Sequence, residues 1–237
     1  MNNDKIVCII PARANSKRLK NKNTRVLNGK PLISWTIEEA KKSVSIDRIV
    51  ISTDDEEAVK IGLDHGVEVI RRPEELAMDT TTTAEVIFHA LDLLKEISYY
   101  PGHILLLQCT SPLRKAWHID EAIKYYLDNL SFSDSLISVS KSEHPPWWLK
   151  KISENGLMTD FLEYDKEEYK RSQDFPETFR INGALYLAKT EMFRKFRGFQ
   201  TPKTLAYKME ALDSLDIDTE IDFLFAEFIM KTYYSCQ

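Results

Sequence analysis

The chain reads as an α/β protein with a mainly parallel sheet covered by helices on both faces. Apolar runs of strand length alternate with amphipathic segments of helical length over the first 140 or so residues, and polar loops follow the runs. Strands buried on both faces are continuously apolar, and parallel neighbours need a crossover, usually a helix. In order, strands are expected at 5–10, 48–53, 67–70, 103–109 and 135–140, with helices at 33–42, 56–65, 84–97 and 118–129 between them. Val86, Ala90, Leu93 and Leu94 show the helical spacing most clearly. These stripes need no role beyond core packing.

After Lys141 the rhythm breaks. Glu143-His144-Pro145-Pro146-Trp147-Trp148 carries paired prolines and tryptophans, and Asn155-Gly156 is a hairpin turn signal, so 142–180 is read as a β-arm inserted in the domain. The run 184–188 returns the chain to the main sheet, and a last helix starts near Asp218, capped by Asp218 or Thr219. The whole is one Rossmann-like domain with an arm. An arm that exposes Trp147 and Trp148 needs cover, and a second copy of the chain is the expected cover; a homodimer follows, with the arm used for dimerisation.

Composition narrows the partners. With 237 residues, 43% hydrophobic and 29% charged, the chain can bury a sizeable core. A formal charge of -5 argues against a protein that coats nucleic acid, which needs a broad basic face. Cys8, Cys109 and Cys236 are widely spaced and fit neither a disulfide framework nor a zinc site. A reducing compartment is expected. With no leader-like apolar segment at the start and no run of about 20 apolar residues, the expectation is a soluble, cytoplasmic protein without a membrane partner.

The strand at 5–10 ends in a loop carrying Arg13, Lys17, Arg18, Lys20 and Lys22. In open α/β sheets ligands bind at the carboxyl edge, so a local basic cluster there points to a small anionic ligand, most simply a nucleoside triphosphate. No glycine occurs between Ile6 and Asn28, which excludes both glycine-rich phosphate turns, GxxxxGK[ST] and GxGxxG. Phosphate charge would be met by side chains, Arg13 through a bidentate grip and Lys17 and Lys22 as point charges. Gln108, Thr110 and Ser111 follow the apolar run 104–107 and project at the same edge. Asp216 and Asp218 lie two apart, so on an extended backbone both carboxylates face one side and could hold a hard cation; helix capping and an ion pair are the other reading. His65, His89, His103, His118 and His144 are scattered, and no nucleophile and base pair stands out. Cys109 is read as a buried inert thiol, a redox-sensitive one being the alternative.

Taken together, these stretches resemble the acylneuraminate cytidylyltransferases, which make CMP-sialic acid and related CMP-nonulosonates. The resemblance rests on Pro11-Ala12-Arg13 through Ser16-Lys17 to Lys22-Asn23, on Ser52-Thr53-Asp54, and on Arg72-Pro73-Glu74-Glu75-Leu76-Ala77 leading to Asp79-Thr80. Leu107-Gln108-Cys109-Thr110-Ser111-Pro112-Leu113-Arg114 and Arg180-Ile181-Asn182-Gly183-Ala184-Leu185-Tyr186, followed by Leu215-Asp216-Ile217-Asp218-Thr219, complete it in the family's order. It implies a single nucleotidyltransferase domain over 1–237. It implies CTP contacts from Ala12, Arg13, Ser16, Lys17, Lys22, Asn23, Arg72, Thr81 and Thr83. Gln108, Arg180, Asn182 and Tyr186 would line the sugar pocket. Lys170 and Arg171 on the arm would reach the neighbouring subunit's sugar carboxylate. Asp216 and Asp218 would hold Mg²⁺, and Arg13, Lys22, Asp216 and Asp218 would carry the chemistry.

The reaction implied is attack by the anomeric hydroxyl of a nine-carbon 2-keto acid on the α-phosphorus of CTP, with release of pyrophosphate. Such transfers depend on alignment and charge neutralisation rather than on a protein nucleophile. Pro145-Pro146-Trp147-Trp148 stands where relatives often carry a basic residue, which leaves the acyl substituents open among N-acylneuraminate, legionaminate and pseudaminate. A Kdo cytidylyltransferase is less well matched, because Ser16-Lys17-Arg18-Leu19-Lys20-Asn21-Lys22 lacks the Pro-Gly of that loop. A non-catalytic nucleotide-binding module is the remaining alternative, disfavoured by the presence of both the basic loop and the aspartate pair.

Overall fold

A computed structural model describes residues 4–14 and 17–234. Ser16, expected to touch CTP, and Cys236 lie outside the described residues. The central sheet is built from β1 (Ile6–Ala12), β4 (Arg48–Thr53), β5 (Glu68–Arg71), β6 (His103–Leu106), β7 (Ser135–Lys141), β10 (Phe179–Lys189) and β11 (Thr204–Lys208). Its order is β11-β7-β10-β6-β1-β4-β5. β1 pairs in parallel with both β4 and β6, β4 with β5, and β7 with β11, whereas β10 runs antiparallel between β6 and β7.

Period-two alternation on β1 divides the core between the two faces of the sheet. Cys8, Ile10 and Ala12 point to the face covered by α1 (Leu32–Lys42) and α4 (Ala116–Asp128), where they pack with Ile33, Ile37, Ile119 and Ile123. Val7 and Ile9 point to the other face and pack under α3 (Thr83–Glu96) and α5 (Thr190–Phe196), against Ile87, Leu91, Leu94 and Phe193. Each fully buried side chain of this size contributes about 1.5–3 kcal/mol by leaving water. α2 (Glu56–Asp64) follows β4 and starts at Asp55, whose carboxylate accepts from the Glu57 and Ala58 N–H groups.

A third cluster positions the site. Leu19 from the loop after β1 packs with Leu27, Leu113, Ile217, Phe223 and Ala226, which ties that loop to α6 (Glu220–Ile229). α6 is capped by Thr219 in a reciprocal box with Asp222, which decides between the two caps expected and leaves the Asp218 carboxylate for other partners.

The structure differs from expectation in three ways. The expected strand 103–109 ends at Leu106, and 107–109 already turn away at the carboxyl edge. β10 is far longer than 184–188 and carries an irregularity between Ile181 and Tyr186 at Gly183, whose φ is +78°. The hairpin of β2 (Val26–Leu27) and β3 (Lys30–Pro31), together with α5 and β11, falls outside the segments the pattern marks. The arm does form a hairpin, β8 (Lys150–Ile152) with β9 (Met158–Asp160), and Gly156 supplies its turn at φ +78°. Trp147 is half-buried within its own chain, stacked on Phe175 with ring centroids 5.2 Å apart, so only Trp148 of the pair stays exposed.

Candidate active site

The carboxyl edge of β1 is shaped by the residues after β4. The Thr53 hydroxyl donates to the Ala12 carbonyl, and Asp54 Oδ1 accepts from the Ala14 N–H at 3.0 Å. Asn23, itself buried, donates from Nδ2 to the Arg13 carbonyl at 3.0 Å. Ala12 is wholly buried, so it contributes backbone shape rather than a side chain. Ser52 holds Arg72 twice, with Nε 3.0 Å from its hydroxyl and Nη2 2.6 Å from its carbonyl oxygen. Ser52-Thr53-Asp54 is therefore the scaffold on which the basic loop and Arg72 are mounted.

Those residues enclose a cleft of about 450 Å³. Its lining includes Arg13, Lys17, Lys22, Asn23 and Arg72 together with Thr81, Thr83, Gln108 and Asp218. Burial draws the Arg72 pKa down to about 10 against the pull of Asp54, which keeps the guanidinium charged at neutral pH. Arg13 and Lys17 both pair with Asp79, at 2.8 and 2.6 Å, and Lys17 ahead of Arg13 holds the Asp79 carboxyl below its ordinary range. Asp79 thus puts an anion where the basic residues converge. Its pairing role is absent from the expected site residues, since only the fold brings 79 to 13 and 17.

Lys22 is mostly buried; its Nζ donates to the Ile217 carbonyl at 2.8 Å and pairs with Asp218 at 3.1 Å. Arg18 reaches the other oxygen of Asp218, also at 3.1 Å. Asp216 is different. Its Oδ1 is buried with no well-formed hydrogen bond among the described residues, and burial, with the Asp218 charge adding to it, raises its pKa against the pull of the Thr110 hydroxyl and of Lys22. An orphaned carboxylate oxygen beside a second carboxylate is a donor set that a hard cation would satisfy. Among the described residues no three His, Cys, Asp or Glu side chains group around one point, so phosphate oxygens would have to complete the coordination.

The residues expected at the sugar do not gather in this cleft. Gln108 lines it, but Arg180 lies in a separate groove of about 610 Å³ beside His144 and Trp148. Asn182 is buried, and its amide is used internally: Oδ1 accepts from Ser138 at 2.6 Å and Nδ2 donates to Ser214 at 2.9 Å. Tyr186 is half-buried against Phe199, and burial followed by the Asp216 charge raises its hydroxyl pKa. Lys170 and Arg171 are exposed on the arm, paired with Glu167 and Asp174 at 3.0 and 2.9 Å. Among the described residues no histidine lines the cleft. Cys109 does, but it is buried and its thiol is pushed up to about 12, which keeps it protonated and unreactive.

Residues 7–234 match the cytidylyltransferase family. An N-acylneuraminate cytidylyltransferase of Streptococcus agalactiae serotype V is 39% identical over 225 residues, 93% of this chain and 52% of that protein. The chain spans about half the length of the curated N-acylneuraminate cytidylyltransferases it matches. A CMP-N,N'-diacetyllegionaminic acid synthase of Legionella pneumophila is 34% identical over 230 residues, 96% of this chain and 97% of that protein. Among solved structures, a CMP:2-keto-3-deoxy-manno-octonic acid synthetase complexed with CTP shares the fold, with a TM-score of 0.71 at 15% identity over 96% of this chain and 98% of that one. On the family match and its extent, the chain belongs to the cytidylyltransferase family.

Proposed function

We propose that this protein transfers CMP from CTP to the anomeric hydroxyl of a nine-carbon 2-keto sugar acid of the N-acylneuraminate type, releasing pyrophosphate. The observation that carries this is the convergence of Arg13, Lys17, Lys22 and Arg72 on one cleft at the carboxyl edge of β1. Four cations with no glycine cradle suit a triphosphate gripped by side chains. In this reading Arg13 and Lys17 leave Asp79 for the β- and γ-phosphates, and Lys22 neutralises charge on the departing pyrophosphate. Thr81 and Thr83 offer hydroxyls at the nucleotide end. Ala12, Asn23 and Ser16 complete the CTP set, the first two through loop shape.

Asp216 and Asp218 would hold Mg²⁺, which when bound neutralises phosphate oxygens and acidifies the attacking hydroxyl. Freed from Asp218 in that state, Lys22 and Arg18 face the phosphates. On the sugar side Gln108 and Tyr186 contact the substrate, and Asn182 acts from beneath by fixing the turn at Gly183. Arg180 borders the arm, and Lys170 and Arg171 serve the site of a second subunit in a homodimer. The unit is one nucleotidyltransferase domain over 1–237 with an arm at 142–180, working in the cytoplasm. No helix among the described residues is long and apolar enough to cross a membrane.

A second reading, transfer to a legionaminate-type or pseudaminate-type acid, is favoured by relatives of those two kinds whose own length the chain covers almost entirely. Pyrophosphate release with CTP against N-acetylneuraminate, legionaminate, pseudaminate and Kdo tests both. The expected result is release with N-acetylneuraminate above all others. Preference for legionaminate or pseudaminate selects the second reading, and no release with any acid overturns both.

A further inference from the structure

Arg114 is the largest fully buried side chain among the described residues, 1% exposed. Its hydrogen bonds include no carboxylate. Nη1 donates to the Gln108 carbonyl at 3.2 Å and to the Ala184 carbonyl at 2.6 Å, and Nη2 donates to the Thr36 hydroxyl at 3.0 Å. A guanidinium sealed in the core with no ion pair among the described residues, the Glu39 charge reaching it only through space, is costly, and an apolar side chain of similar volume would fill the same space at lower cost. Burial draws its pKa only to about 10, so it remains a cation at neutral pH. The three acceptors lie on three different pieces of chain, the loop after β6, the irregular start of β10 and α1. The first of these pieces lines the cleft through Gln108 and Thr110, and the second carries the Gly183 turn that faces Asp216.

We propose that Arg114 is a positioning residue for the reaction: its fork sets the loop carrying Gln108 and Thr110 against the Gly183 turn that backs Asp216. The proposal rests on the reading of the cleft as a CTP and sugar-acid site. The mechanical connection is short. A Cβ on Gly183 would stand 3.5 Å from Asp216 Oδ2, so the aspartate rests on that turn. The Ile217 N–H donates to the Thr110 carbonyl at 2.8 Å, which couples the aspartate segment to the same loop. Removing the fork releases the Ala184 carbonyl and loosens Gln108, and the two halves of the sugar side can then drift by about 1 Å. Most of the phosphate grip, Arg72 and the backbone that carries Arg13, hangs from other anchors, Ser52, Thr53 and Asp54, and is left in place; only Lys22, held on the Ile217 carbonyl, shares the aspartate segment.

The test uses Arg114→Met and Arg114→Lys in the full chain, with CTP binding by calorimetry, steady-state kinetics and melting temperature measured side by side. A displacement on the order of 1 Å at a reacting pair costs about a hundredfold in rate. Arg114→Met is therefore expected to lower kcat by about that factor and to raise KM for the sugar acid, while CTP affinity stays within about threefold of wild type. Arg114→Lys keeps the charge but has one nitrogen for three acceptors; it should recover melting temperature and leave kcat low. Wild-type kcat and sugar KM in both folded variants would overturn the proposal. So would CTP affinity falling in step with kcat, or failure of both variants to fold, since either makes Arg114 a structural residue only. A wild-type protein that neither binds CTP nor releases pyrophosphate overturns the functional reading itself and this proposal with it, and the wild-type control separates that failure from the others.

Discussion

Lys22 stands at the junction of the two ends of the site, mostly buried and shared between the Ile217 carbonyl and Asp218. Its ammonium cannot be replaced from solvent, so Lys22→Ala is expected to lower turnover about a hundredfold or more with the fold intact, the loss typical of deleting a charge partner of the transition state. Near-normal pyrophosphate release by the variant would remove Lys22 from the mechanism. Asp79 makes the opposite prediction. Because it competes with phosphate for Arg13 and Lys17, Asp79→Asn should lower KM for CTP about two- to fivefold, the range of an exposed ion pair, and the gain should fade as salt is added. A raised KM at low salt would mean that Asp79 serves the nucleotide directly. Asp216 couples function to stability. Its pKa is raised in the folded state, so the fold binds its proton more tightly than the unfolded chain does, and ionising it destabilises the protein as pH rises from 3.8 through the raised value. Metal-free Asp216→Asn should therefore melt higher than wild type at pH 7, by about 2–4 °C for each kcal/mol relieved, with the difference vanishing at acidic pH, while its turnover and Mg²⁺ response drop. Equal melting curves at both pH values would show that Asp216 carries no burden of burial.

At the level of elements, the Gly183 turn is where one change should reach both fold and site. Ala at φ +78° adopts a conformation costing about 1–2 kcal/mol, and its Cβ would lie in van der Waals contact with the Asp216 carboxylate, 3.5 Å from Oδ2, where it shields that oxygen from other partners. Gly183→Ala should thus unfold at lower denaturant by that amount and lose turnover by more than stability explains; unchanged kinetics would free the turn from the site. How far such elements are legible in sequence depends on where their signal lies. β1, β4 and β7 are readable because a strand buried on both faces must be apolar throughout, and the helices over them because one stripe must be. β10 is only half readable: 184–188 shows as a run, but Arg180 and Asn182 interrupt the pattern, and nothing local distinguishes an antiparallel strand from a parallel one. β11 and α5 are short, and their register is set by neighbours remote in sequence. The same logic divides the site. The nucleotide side is legible because charges at strand ends must converge where the strands do. The Asn182 and Arg114 contributions are not, since each is a buried polar group whose meaning comes from carbonyls and hydroxyls on other segments.

The whole molecule leaves apolar surface that a monomer in water would be expected to hide. On the arm, Leu149, Ile152, Leu157, Met158 and Phe161 are all exposed, although Trp147, Tyr164 and Tyr169 have found cover on Phe175. An internal aromatic knot of this kind gives the arm a fixed shape without covering its outer face, which is the condition for docking on a second body rather than folding back. Lys170 and Arg171 belong to the same arm and line no part of the cleft of their own chain, so the site gains a cationic contribution only if the arm crosses to another subunit. Assembly and activity are then linked. Light scattering at micromolar concentration should give the mass of a dimer, and Ile152→Asp with Leu157→Asp, which places two charges on the exposed face without touching the Phe175 knot, should give a monomer. That monomer should bind CTP as wild type does, because the phosphate grip is built within one chain, and should lose sugar-acid turnover by at least about tenfold. A wild-type monomer would remove the dimer. A monomeric variant with full turnover would leave the dimer but remove the arm from catalysis, and Lys170 and Arg171 would then be ordinary surface charges.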